Sequence, residues 1–284
     1  PAMCLWEPQL ILAKQRDGKF IEFGHLAIPI DQLSDEEPKF EATTSVDFNT
    51  LTSRDSYLKG FDKLMSHIKR GDIYEVNYCR REESFVPKLS PVGLFARLNK
   101  RSPAPFAGIH KIDQSWLICS SPERFLCKQA DQLISQPIKG TIRRTGQLEL
   151  DSLSVEKLRN DPKELAENKM IVDLVRNDLS HFAKSGSVQV KELCEIYPFA
   201  RVFQMISTVA CELRSQEFTI PALAKAFPMG SMTGVPKIRA LNLVEETEDF
   251  KRGMYSGSCG FFTAEGDFDL NVVIRSLTWN AKTG

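Results

Sequence analysis

A lysine set among small and apolar residues at the end of a strand is a candidate for amine chemistry. Lys139 is such a residue, in the stretch QPIKGTIRR at 136–144. Burial disfavours the charged form of an amine, and an amine that sheds its proton can act as nucleophile or base. A solvated turn is the plainer reading, because lysines are mostly exposed. The company Lys139 keeps decides between them.

Three acids and one arginine make up that company. Glu123, in SSPERF at 120–125, lies one hairpin before the lysine, so adjacent strand ends can bring the two together. Beside Arg124 it reads more readily as a salt-bridge partner than as a catalyst. Glu164 and Glu167 are three apart in a helical pattern and share a face one turn apart. Glu164 is explained by a capping box with Asp161. Glu167 has no such explanation and, with a second carboxylate, can hold Mg²⁺, which takes oxygen ligands and keeps several waters. Arg275, in VVIRSLT at 272–278, sits in a strand pattern and wants a planar anion, since burying it unpaired is costly. Together these describe a site for a small, oxygen-rich anion with metal-assisted loss of a leaving group.

The elements that must position these groups can be read in outline. Residues 10–13 and 20–23 flank Asp17-Gly18, a hairpin signal, and 35–38 form a polar loop. A helix starts near Ser53, carries Tyr57, Leu58, Phe61, Leu64, Met65 and Ile68 at helical spacing, and ends at Gly71. Residues 73–85 read as one strand, and Ser90-Pro91 opens a helix through Leu98. Hairpins follow at 106–110 with 115–120, and at 126–128 with 132–135. The clearest helix covers 160–183, with Asp161 as N-cap, Pro162 first in the helix, and Leu165, Met170, Ile171, Leu174 and Val175 as its stripe. A strand at 188–193 is followed by 197–212, where Val202, Met205, Ile206 and Val209 fit helical spacing, and by a helix at 220–227. The segment FPMGSMTGVPK at 227–237 suggests backbone amides offered to an anion at a helix start. It is not a Walker loop, because its lysine follows a proline three residues after the second glycine. Residues 256–263 and 268–278 form a last hairpin about Glu265-Gly266.

Composition narrows the partners. Lys+Arg and Asp+Glu balance at 37 each, so no global field draws nucleic acid or an anionic membrane. Hydrophobic content of 42% and charged content of 26% suit a globular chain of 284 residues with a sizeable core. No apolar run reaches transmembrane length, and no signal-like segment opens the chain. Cys4, Cys79, Cys119, Cys127, Cys194, Cys211 and Cys259 are scattered, without metal-ligand spacing, and point to a reduced, cytoplasmic setting.

Six blocks in order give the chain a resemblance. GDIYEVN (71–77), SSPERF (120–125), PIKGT (137–141), ELAENKMIVDLVRNDL (164–179), FPMGSMTGVPK (227–237) and YSGSCGFF with VVIRSLT (255–278) resemble the chorismate-utilising enzymes. The likeness is strongest to the branch that aminates chorismate at C4, the aminodeoxychorismate synthases. It implies an α+β fold, one large domain of two packed antiparallel sheets surrounded by helices, over 1–284. It implies Mg²⁺ as cofactor, chorismate as substrate and a glutamine amidotransferase subunit as the ammonia source. Glu123 then matches the acid that protonates the departing C4 hydroxyl, and Lys139 the amine that attacks C2. Glu167 and Glu164 match the metal-binding acids. Gly140 and Thr141 line the substrate, Tyr255 walls it, and Arg275 takes a carboxylate.

Lys139 also separates the branches, since anthranilate synthases usually carry alanine there. Isochorismate and salicylate synthases place a basic lysine where this chain has Glu75, and the acid weakens the water-attack reading. A non-catalytic chorismate-binding homologue is the other alternative. The family pattern continues past Gly284 through a glycine-rich loop and a helix with a second Mg²⁺ glutamate, so a site completed by such a segment is expected. A histidine common near the 203–208 block is replaced by Gln204.

Overall fold

The computed structural model describes Pro8, the strands at 10–14 and 20–24, and residues 46–284, and the chain divides into compact units at 1–39 and 40–284. In the first unit β1 (Leu10–Lys14) and β2 (Phe20–Gly24) pair antiparallel, Leu10 opposite Gly24. This is the hairpin the sequence predicts; its turn at 15–19 and the polar loop at 35–38 lie outside the described residues.

The second unit begins with β3 (Asn49–Thr50) and α1 (Arg54–Lys69), whose N-cap Ser53 accepts from the Ser56 amide. Gly71 takes the left-handed conformation just beyond the helix, as expected of a terminating glycine. The predicted apolar stripe is only half used. Leu64 is buried against Ile73, Ala240 and Leu243, whereas Leu58 and Phe61 are exposed. The expected strand at 73–85 breaks into β4 (Glu75–Val76) and β5 (Glu82–Glu83), which pair with different partners. Helix α2 (Pro91–Arg101) follows with Ser90 as cap, and then the hairpin of β6 (Phe106–Ile112) and β7 (Ser115–Ser121).

Next come β8 (Arg124–Gln129), β9 (Gln132–Gln136) and β10 (Ile138–Arg143). The helix α3 (Leu148–Arg159) was not legible, because Leu148, Leu150 and Leu153 are exposed and blur its stripe. The long helix α4 (Pro162–Ser180) is capped by Asp161, which accepts from the amides of Lys163 and Glu164. The return arm of the expected capping box is missing: the Asp161 N–H donates to the Leu158 carbonyl. Glu164 is therefore not accounted for by capping.

Strand β11 (Gln189–Pro198) leads into β12 (Val202–Glu212). The helical spacing read at 202–209 is thus a misreading. In β12 the residues 203–205 and 207–211 are nearly all buried, so both faces are covered and no period of two survives. The rest comprises α5 (Thr219–Ala226), β13 (Gly234–Val235), α6 (Lys237–Thr247), β14 (Gly260–Phe262), β15 (Phe268–Asn271) and β16 (Ser276–Asn280).

Two antiparallel sheets organise these elements, so the fold is α+β as expected. The larger runs β10-β12-β9-β8-β15-β14 with β11 also on β12; the smaller runs β16-β7-β6. The chain passes between them twice, at 122–123 and again at 272–275. The expected strand at 268–278 is therefore two strands in different sheets. The main core lies between the larger sheet and α4 and α5, built on Phe125, Leu133, Val172, Leu179, Val209, Leu223 and Phe268.

Candidate active site

Lys139 sits in a defect of the larger sheet. The pairing of β10 with β12 shifts register between Ile138 and Thr141, so Lys139 and Gly140 form a bulge. A bulge leaves ladder groups unpaired and turns a side chain out of the regular alternation. The freed Lys139 carbonyl is taken by Asn168 Nδ2 of α4 at 3.2 Å, and the same amide reaches the Met205 carbonyl at 3.3 Å. Gly140 makes the bulge possible. Its φ is +100°, and a Cβ there would lie 3.1 Å from Met205 and 3.3 Å from Glu164 and Leu158. Lys139 is thus within a strand, not at its end, and α4 packs directly beneath it.

The amine is not free. Its Nζ donates to Glu75 Oε1 of β4, both side chains being largely buried. Strand β4 is held by β13, with Glu75 opposite Val235, and flanked by hydrogen bonds from Tyr74 N–H to Val235 and from Asn77 N–H to Thr233. The segment at 227–237 is thereby spent on holding Glu75. The amides of Met232 and Thr233 donate within the segment, and Lys237 is buried on Asp178 Oδ2 at 2.6 Å and the Ala226 carbonyl at 2.9 Å. The anion-cradle reading of this segment is not met by those groups.

Glu123 lies where the chain first crosses between the sheets. It is 5% exposed, and a small apolar-walled cavity lined by Phe125, Leu126, Ile171, Val175 and Val272 adjoins it. Burial pushes its carboxyl up from 4.5 to about 7. The opposing influences are the nearby Ser231 hydroxyl, the Ile138 amide, Lys139 and Arg275. The Ser231 hydroxyl favours the ionised form from close by, though it makes no well-formed hydrogen bond. An acid poised near neutrality can keep its proton until a leaving group needs it. Arg124, the expected salt-bridge partner, instead binds Asp269.

Arg275 occupies the second crossing and is not in a strand. Its φ is +51°, its carbonyl accepts from the Ser120 amide, and its side chain is exposed. The parallel bond from Val272 N–H to the Glu123 carbonyl ties the two crossings together. An acid and a guanidinium are thereby brought near one another from sequence positions far apart. Exposure removes the argument that Arg275 needs a buried partner; it leaves the fork available to an incoming carboxylate.

The remaining expected residues have different claims on this centre. Glu164 and Glu167 both approach Lys163 Nζ, at 3.4 and 2.7 Å. A cation thus already stands between two carboxylates, and such a pair suits Mg²⁺, which is commonly held by one or two carboxylates with substrate oxygens and water. Among the described residues no cluster of three or more His, Cys, Asp or Glu side chains gathers to hold a metal. Thr141 is exposed, opposite Gln204 in register, and Gln204 is itself buried with its Oε1 unpaired. Tyr255 lies half-buried, its hydroxyl near Cys79 Sγ, and burial pushes it up to about 12. Tyr255 makes no hydrogen bond to Lys139 or Glu123.

Two residues that sequence reasoning did not place in the site belong here. Glu75 was noted only as an acid where other branches carry a base. Asn168 was passed over, although a polar residue on the buried side of an amphipathic helix signals a partner to satisfy.

Comparison with known proteins identifies the family. A model of the chorismate binding enzyme family matches residues 12–284. The aminodeoxychorismate synthase component 1 of Klebsiella aerogenes is 38% identical over 226 residues, 80% of this chain and 50% of that protein. The protein of the same name from Escherichia coli (strain K12) is 35% identical over 241 residues, 85% of this chain and 53% of that protein. The chain therefore spans about half the length of these curated relatives. In structure it is similar to anthranilate synthase component I from Streptococcus pneumoniae TIGR4, with a TM-score of 0.75 at 27% identity over 89% of this chain and 55% of that one. The match to the family model over nearly the whole chain, joined to relatives 35–38% identical over 80–85% of it, shows that this chain belongs to the chorismate binding enzyme family.

Proposed function

We propose that this chain aminates chorismate at C4, giving 4-amino-4-deoxychorismate for para-aminobenzoate and folate synthesis in the cytoplasm. Ammonia would come from a glutamine amidotransferase subunit. The observation that carries this reading is the amine of Lys139, turned out of the sheet by a bulge and set near the buried acid Glu123. Amination at C4 by way of the lysine needs both groups on one ring: a nucleophile for C2 and a proton donor for the C4 oxygen.

The residues divide the work as follows. Arg275 is exposed and can take a substrate carboxylate, and Gly140 lets the strand bulge where a side chain would crowd Met205, Glu164 and Leu158 behind it. Glu123 gives its proton to the C4 hydroxyl, which leaves as water, and remains as a carboxylate near Arg275 and Lys139. Glu164 and Glu167 would hold Mg²⁺, which when bound neutralises substrate carboxylate charge. Ammonia then adds at C4 as the bond from C2 to the lysine breaks, returning the amine.

Amination at C2 is the competing reading, since a solved relative in fold is an anthranilate synthase. Lys139 favours the C4 outcome. Protein supplied with chorismate, Mg²⁺ and ammonium salt is expected to yield the C4 amino product, identified by mass and absorbance. K139A should lose that product, with any residual amination at C2. An unchanged product from K139A would sink the covalent route, and a folded protein making no amino product would leave a non-catalytic binder.

A further inference from the structure

Lys139 can attack a ring only with a lone pair, and the ammonium form has none. The group against its Nζ is the Glu75 carboxylate, on a separate strand and locked there by β13. We propose that Glu75 is a catalytic residue, the proton acceptor that arms Lys139. This rests on the C4-amination reading above.

The geometry distinguishes this pair from ion pairs that only hold the fold. Arg124 binds Asp269 through both carboxylate oxygens, each at 2.8 Å. Arg252 likewise uses both oxygens of Glu248, at 2.8 and 2.6 Å. Those carboxylates are saturated by a fork that never gives up a proton. Glu75 instead meets a lysine, which can, and only through Oε1. Its Oε2 is buried without a hydrogen-bond partner. A structural pair would not leave a buried carboxylate oxygen bare, because the group loses its water and gains nothing. A proton acceptor keeps acceptor capacity in reserve.

The step balances without a further reagent. One N–H bond of the Lys139 ammonium breaks and an O–H bond forms on Glu75. The freed lone pair makes the bond to C2, both double bonds of the cyclohexadiene ring shift by one position toward C4, and the C4–O bond breaks. The Glu123 proton leaves with that oxygen as water. When ammonia adds at C4, the C2–N bond electrons return to Lys139, which recovers its proton from Glu75. The new ammonium at C4 returns a proton to Glu123.

Acid-quenched intact-mass measurement on the full-length protein with chorismate and Mg²⁺, without ammonia, reads the adduct on Lys139 directly. The wild type should form it and K139A should not. E75Q, equal in shape but unable to take the proton, should form it on the order of 10²-fold more slowly. Its KM for chorismate in the amination assay should stay within about threefold, because the loss falls on kcat. E75D keeps a carboxylate one methylene short and should fall between the two. It also carries the test if E75Q does not fold: a rate equal to wild type in either variant, or a change confined to KM, overturns the assignment. A folded wild type giving neither adduct nor C4 product would instead bring down the functional reading on which it rests.

Discussion

Glu123 carries its chemistry through its surroundings. Apolar walls and the sheet crossing strip it of water, and the carboxyl rises from 4.5 to about 7. Between those values the native protein holds a proton that the unfolded chain has released. Stability therefore falls as pH rises through that window, and the loss is complete above about 7. E123Q removes the titration. From pH 5 to pH 8 it should gain up to ~3 kcal/mol of stability relative to wild type, read as the difference in urea midpoints. Parallel pH profiles for the two proteins would show that burial does not shift this group. The same variant should lower the amination rate by about 10²–10⁴-fold, the usual worth of a positioned acid. Both effects come from one source: a carboxyl held neutral at a stability cost is available as a donor.

At the scale of elements, the bulge in β10 decides where Lys139 points. It exists because Gly140 can adopt φ of +100° with α4 close behind, and because Asn168 takes the carbonyl the ladder abandons. G140A should cost about 1–3 kcal/mol, since a Cβ there is strained and crowded by Met205, Glu164 and Leu158. Thermal melts and the Lys139-dependent rate should fall together; a stable, fully active G140A would show that the backbone can relax without moving the amine. The caps and turns that bound the elements were readable. Ser53, Ser90 and Asp161 each accept from a helix-start amide within three residues, so their signals are local. Strand β12 was not, because neighbours on both faces of the sheet bury it and erase its alternation.

The whole second unit is held by a few long-range ties that set the distances within the site. The buried pair of Lys237 and Asp178 joins the start of α6 to α4, with the Ala226 carbonyl closing α5 onto the same ammonium. Removing one partner strands a buried charge. K237M should therefore cost about 3–5 kcal/mol, and K237M/D178L should recover much of that loss. Urea denaturation of the two variants measures it. Equal destabilisation in both would mean that the pair contributes by its packing shape alone. The paired crossings at 123 and 275 act over the same range, fixing the acid near the arginine from distant parts of the chain.

The sequence by itself determined the inventory of reactive groups and the local elements. Residue types, helix caps and tight turns depend on neighbours a few positions away, and six ordered blocks pointed to the family without any coordinates. Only the tertiary structure decided that Lys139 meets Glu75, 64 positions earlier, and that Arg275 marks a break between sheets. It alone decided that the segment at 227–237 braces a strand. Each of these depends on which distant backbone groups are left unsatisfied when two sheets and a helix close on one another, and no local spacing encodes that.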